Sequence, residues 1–170
     1  MLYLMDANAL ITAKNQYYPI LRFPNYWDWL VHAGTTDKLK VPLEIYREFS
    51  ASVKADGKKD ELAAWASQKQ TRQSLIYAGP SDKYISEVLV KGYGHDLSED
   101  DLLEIGKDPY LISSALNDPQ NSTVVTCETS ASKRTGRNRR IPDACKDLGV
   151  RCIDPHKMIC ELDFYYHWKT

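Results

Sequence analysis

Two short runs in this chain, one apolar and one β-branched, each lead within two residues to an acid, and this feature most restricts the folds open to it. Near the amino terminus the run Leu2–Met5 stops at Asp6. Further along, the β-branched run Thr123–Thr126 leads through Cys127 to Glu128. Runs of this length are typical of strands buried on both faces of a parallel sheet. The sequence therefore predicts two core strands, each with an acid just beyond its carboxyl end.

Helical patterns alternate with the predicted strands. One helix is predicted over residues 7 to 16, and a second over Tyr26–Ala33 with Gly34 as its stop. Pro42 opens a third helix, which runs to about Lys54 and carries Glu48 about two turns in. Residues 58 to 106 read as a polar helical middle, and Asp108 opens the next helix.

Further strands are predicted at residues 39 to 41 and 150 to 153. This order predicts an α/β protein, a three-layer α/β/α fold with a central parallel sheet and an expanded helical middle. A chain of 170 residues is expected to form one domain, here residues 1–170.

Four acids are expected to converge in this fold. Ligands bind parallel sheets outside the carboxyl ends of the strands, where Asp6 and Glu128 lie, and Glu48 and Asp108 sit on helices that can face the same end. Converging carboxylates repel, so the site calls for a divalent cation, and an all-oxygen shell favours Mg²⁺ or Mn²⁺ over zinc. Such a site suits metal-assisted phosphodiester hydrolysis. From spacing alone, a helix N-cap is an equal alternative for Asp6.

Four segments resemble, in order, the acidic motifs of the PIN-domain family: YLMDANALI, VPLEIYREF, DPYLISSAL and VVTCE. The resemblance covers essentially the whole chain and is to the larger PIN-like proteins of prokaryotes, which are often toxins of toxin–antitoxin pairs. It implies a PIN-like fold, and it implies that Asp6, Glu48, Asp108 and Glu128 are both the metal ligands and the catalytic acids.

The resemblance also assigns supporting residues and leaves two positions open. Asn8 is expected to orient Asp6, and Thr126 to hold a water or a phosphate oxygen. The family commonly has Asp at the last motif, where this chain has Glu128. Two further acids are alternatives: Glu44, one turn before Glu48, and Asp143, which follows Pro142.

A basic segment follows the last acid. It concentrates five positive charges in a chain whose net charge is only −1. Phosphate contacts give affinity for nucleic acid without regard to its sequence, so the segment is predicted to bind RNA. A solvated loop without a partner is the alternative. The residues concerned are Lys133, Arg134, Arg137, Arg139 and Arg140.

Together these features predict a metal-dependent endoribonuclease for single-stranded RNA. The resemblance implies a toxin with a protein antitoxin, and a homodimer by analogy. A catalytically silent RNA- or protein-binding module on the same fold is the alternative. A phosphohydrolase with an aspartyl nucleophile is a weaker one, because its usual second aspartate is replaced here by Asn8. We expect no membrane association and a cytoplasmic location, since the chain lacks a signal-peptide pattern and an apolar stretch of roughly 20 residues.

Overall fold

Four parallel strands form the centre of the protein in a computed structural model, which describes residues 1–53, 57, 59–165 and 167–168. The strands are β1 (Leu2–Met5), β2 (Leu39–Lys40), β3 (Ser122–Val125) and β4 (Arg151–Ile153). Their order in the sheet is β2-β1-β3-β4, and every neighbouring pair is parallel. The predicted three-layer α/β/α class is confirmed.

Helices connect these strands and cover the sheet. In chain order they are α1 (Ala7–Thr12), α2 (Pro24–Thr35), α3 (Leu43–Ser50), α4 (Glu61–Ala66), α5 (Lys69–Leu75), α6 (Ile85–Glu87), α7 (Glu99–Ile105), α8 (Asp108–Leu116), α9 (Ile141–Asp147) and α10 (Pro155–Glu161). A π-helical turn continues α1 (Ala13–Tyr17), another continues α6 (Val88–Tyr93), and a 3₁₀ turn spans Gly136–Asn138. The middle of the chain is helical, as predicted. Within the described ranges, no helix is long and apolar enough to cross a membrane.

The two central strands carry the core. Leu4 and Met5 of β1 and Val124 and Val125 of β3 are fully buried. Met5 pairs with Val125, and the backbone N–H of the next residue, Asp6, donates to the Val125 carbonyl at 2.9 Å. Since the chain leaves β1 for β2 on one side and returns to β3 on the other, strand order reverses between β1 and β3. The ligand crevice of such sheets opens at this reversal.

Two predicted helix ends differ from the structure. Gly34 was expected to stop α2, but the helix continues to Thr35. Gly34 is instead a packing residue, since a Cβ there would lie 2.7 Å from the Ser74 carbonyl oxygen at the end of α5. The helix that begins after Pro42 ends at Ser50. Its predicted end, Lys54, lies outside the described residues.

Candidate functional site

Asp6 lies just beyond the carboxyl end of β1, beside β3, where the reversal of strand order predicts a crevice. Only 3% of its surface is exposed, and the Thr126 hydroxyl donates to its Oδ2 at 2.8 Å. The same hydroxyl oxygen accepts from the Glu128 backbone N–H at 3.2 Å. Asp6 occupies the N-cap position of α1, but its side chain does not form a capping hydrogen bond to that helix. Thr126 therefore ties the first acid to the strand that leads to the last one.

The four predicted acids act on one another electrostatically. Burial, followed by the charges of Asp6, Glu128 and Glu48, raises the pKa of Asp108 to about 8. Burial also raises the pKa of Asp6, and the Glu128 charge adds to this, while Thr126 and the backbone N–H groups of Asn8 and Ala7 oppose it. The pKa of Glu48 is raised by burial and then by Asp6. Asp108, on α8, is thus within electrostatic range of the acids that follow β1 and β3 and of the acid on α3.

Two neighbours of these acids were not predicted from the sequence. The Tyr93 hydroxyl lies within 3.5 Å of Asp108 Oδ2, and burial and the Asp108 charge raise the pKa of this tyrosine. The positive charge of Lys107 lowers the pKa of Glu48 and so offsets part of its rise. Nothing in the local sequence distinguishes Tyr93 from the other buried tyrosines, so only the packed fold identifies it.

Glu128 has a partner on each oxygen. Arg140 Nη1 donates to Oε1 at 2.7 Å, and the Ile141 backbone N–H donates to Oε2 at 2.8 Å. Among the described residues, no three or more His, Cys, Asp or Glu side chains are grouped closely enough to hold a metal ion. The chemistry of the acids nevertheless suits a hard divalent cation, because they are carboxylates and the pKa values of Asp6, Glu48 and Asp108 are raised by burial and by neighbouring acids.

The structure separates the alternative acids from this group. Glu44 accepts a hydrogen bond from the Ser81 hydroxyl at 2.8 Å, whereas Glu48, one turn later on α3, is close enough to Asp6 for the Asp6 charge to raise its pKa. Asp143 accepts from the Ser130 hydroxyl and from the Ala131 backbone N–H, and these bonds lower its pKa. Asp143 therefore holds the loop after Glu128 in place.

Asn8 does not contact Asp6 in the expected way. Its side chain is exposed, and its backbone N–H is the group that influences the Asp6 carboxylate. The arrangement that was expected from Asn8 is supplied by Thr126, whose hydroxyl bonds directly to Asp6.

Most of the basic segment is engaged within the protein. Arg137 pairs with Asp101 and Glu104, at 3.4 and 3.0 Å. Arg139 pairs with Asp147, and Arg140 with Glu128. Within the described part of the chain, only two of the five predicted RNA contacts are exposed and lack an ion pair; they are Lys133 and Arg134.

Comparison with known proteins gives a family for the chain. No curated protein and no solved structure matches it. The sequence model of one family, described as a domain of unknown function (DUF4411), matches residues 3–166. That range includes all four candidate acids and covers nearly the whole chain. The protein therefore belongs to the DUF4411 family.

Proposed function

We propose that this protein is a metal-dependent endoribonuclease that hydrolyses phosphodiester bonds of single-stranded RNA. The observation that carries the proposal is that the charges of Asp6, Glu48 and Glu128 all act on Asp108, near the point where strand order reverses. Negative charge on neighbouring carboxylates that are partly removed from water is unfavourable without a cation. The resemblance of the four motifs to the PIN-domain family supports the same chemistry.

The four acids are the candidate ligands for Mg²⁺ or Mn²⁺. When bound, such an ion supplies an activated water and neutralises charge on the leaving oxygen. The protein's own groups position the ligands: the Thr126 hydroxyl holds Asp6, and Tyr93 stands against Asp108. Glu128 has to share or release its Arg140 contact to join them.

In this proposal Arg140 also binds the phosphate backbone of the RNA. Its side chain is 39% exposed and lies directly against an acid of the site. A guanidinium released from Glu128 is suited to bind a phosphate oxygen in a bidentate manner. Exposed Lys133 and Arg134 extend the positive charge along the path of the RNA.

The role of toxin in a toxin–antitoxin pair rests on the family resemblance. In that role a protein antitoxin covers the acidic crevice until it is removed. A cytoplasmic location and a homodimer belong to the same proposal.

One observation favours the alternative of a catalytically silent binding module on this fold. Both Glu128 oxygens are occupied by protein donors. If Arg140 replaces the cation permanently, the crevice binds RNA or protein without cleaving it.

The test is cleavage of labelled single-stranded RNAs by the purified protein in Mg²⁺, in Mn²⁺ and in EDTA. We expect metal-dependent cleavage whose rate falls by more than ~100-fold in Asp6→Asn. This loss exceeds the roughly 10–100-fold expected when a residue that only positions a metal ligand is replaced. Glu48→Gln is expected to lose activity similarly. Glu44→Gln is the matched control, because it makes the same change one turn away and keeps an acceptor for Ser81.

Two results decide between the readings. The nuclease is supported if cleavage needs metal, is retained in Glu44→Gln, and is lost in Asp6→Asn and Glu48→Gln. No cleavage in any metal, together with no heat of Mn²⁺ binding in calorimetry, refutes it and favours the silent module.

A further inference from the structure

A cavity of about 600 Å³ opens at the same edge of the sheet as the acids. Its wall includes Cys127, just after β3, and Asp154, just after β4. The opposite wall includes Ala9 and Thr12 of α1, the helix that follows β1. All these residues lie beyond the carboxyl ends of parallel strands, so the cavity is a neighbour of the acidic crevice. We refer to it as the side cavity.

Cys127 joins the side cavity to the candidate active site. It stands between Thr126, which bonds to Asp6, and Glu128. Its side chain is exposed and lines the side cavity together with Asp154. The side cavity is therefore next to the strand end that holds Thr126 and Glu128.

The lining suits a flat ligand with a polar edge. Tyr18 and Tyr26 stack with ring centroids 4.1 Å apart, and both line the cavity. Tyr17 lies beside them and is 62% exposed, so one of its faces is open. Thr12, Gln16 and Asp154 supply hydrogen-bonding groups.

One oxygen of Asp154 is available to a ligand. Its Oδ1 accepts from the Lys157 backbone N–H at 2.9 Å, while Oδ2 has no hydrogen bond in the described part of the chain. A carboxylate oxygen accepts from base amino groups. Aromatic rings with nearby hydrogen-bonding groups are the usual way in which proteins bind unpaired bases.

We propose that the side cavity binds an unpaired nucleobase of the RNA whose scissile phosphate lies at the four acids. This inference rests on the proposed ribonuclease function. The volume of the side cavity falls within the range of roughly 300–1,000 Å³ that is usual for ligand pockets. Tyr17 stacks on the base, and Asp154 Oδ2 accepts from the amino group of adenine, cytosine or guanine.

Alkylation of cysteine measures occupancy without any cleavage. Cys127 and Cys160 are both exposed free thiols, and only Cys127 lines the cavity. The protein is treated with iodoacetamide in EDTA with adenosine, cytidine or ribose at ~10 mM, and each cysteine is followed by peptide mass spectrometry. We expect adenosine and cytidine to slow the alkylation of Cys127 at least about two-fold, and ribose to leave its rate unchanged. Ribose, which lacks a base, is the control, because the Cys160 sulfur lies 4.0 Å from Nδ1 of the cavity residue His156 and is not independent of the cavity.

A second measurement uses a variant that does not disturb the core. Tyr17→Ala removes an exposed ring, and Tyr165→Ala, at another exposed tyrosine, is its matched control. A stacked base contributes about 1–3 kcal/mol, so Tyr17→Ala is expected to weaken binding of a short single-stranded RNA by about five-fold or more. Tyr165→Ala is expected to leave the Kd unchanged.

The outcomes separate this inference from the nuclease proposal. Protection of Cys127 without metal-dependent cleavage keeps the base site and refutes the nuclease. Cleavage without protection, or equal losses of affinity in the two tyrosine variants, overturns the base site and leaves the nuclease standing.

Discussion

Replacement of Asp108 by asparagine should stabilise the metal-free protein. In the fold the pKa of Asp108 is raised from 3.8 to about 8 by burial and by the three other acids. The folded protein therefore keeps this carboxyl neutral at about pH 7, whereas the unfolded chain ionises it. At 1.36 kcal/mol per pKa unit, ionisation favours the unfolded state by about 4 kcal/mol at that pH. Asp108 is partly exposed, and solvent screening lowers this to about 2 kcal/mol.

The sign of the pH dependence follows from the raised pKa. The contribution of the neutral Asp108 carboxyl to the free energy of unfolding is fully present below about pH 4. It is lost as the pH rises towards about 8. Asp108→Asn should therefore match the unmutated protein below about pH 4 and exceed it by about 2 kcal/mol at about pH 7. That difference corresponds to a Tm higher by about 4–8 °C for a chain of this length.

The assay is thermal unfolding in EDTA across this pH range, with Asp96→Asn as the control. Asp96 is exposed and has no hydrogen bond or ion pair within the described ranges. A Tm of Asp108→Asn that equals or falls below that of the unmutated protein at about pH 7 would refute the crowding of carboxylates at this site. Added Mn²⁺ should raise the Tm of the unmutated protein more than that of Asp108→Asn, since the variant lacks one candidate ligand.

Three further changes test other contacts. Arg140→Ala releases Glu128 and should tighten Mn²⁺ binding several-fold in calorimetry while weakening RNA binding; an unchanged Mn²⁺ affinity would mean that the ion pair does not compete with metal. Thr126→Val removes the donor to Asp6 and should reduce metal-dependent cleavage about ten-fold or more, with recovery in Thr126→Ser. Gly34→Ala forces a Cβ against the Ser74 carbonyl and should lower the free energy of unfolding by about 1–3 kcal/mol in denaturant titration, and a neutral result would contradict the close packing of α2 on α5.

Local sequence pattern was sufficient for the elements that place the acids. An apolar or β-branched run predicts a buried strand without knowledge of its neighbours, and β1 and β3 form where such runs occur. Parallel strands present their carboxyl ends at one edge, so the positions of Asp6 and Glu128 after two strands already predicted that they would be neighbours. The helix opened by Asp108 likewise begins where its pattern indicated.

Contacts between distant parts of the chain were decided only by tertiary packing. The choice of Glu48 over Glu44 depends on how α3 is rotated, which the burial of Ile45, Tyr46 and Phe49 determines. The stretch of charge after Glu128 indicated a free RNA-binding surface, but folding pairs most of it with acids of this chain, Glu128 among them.

The physical reason lies in the range of the interactions. Strand and helix preferences arise from each residue's own backbone and its near neighbours along the chain, so a single sequence displays them. The partner of a charged or hydroxyl side chain, such as Thr126 for Asp6 across 120 residues, depends on which surfaces the core brings together. The sequence alone therefore determined the layers and which acids stand at the sheet edge, and the tertiary structure decided which donors hold them there.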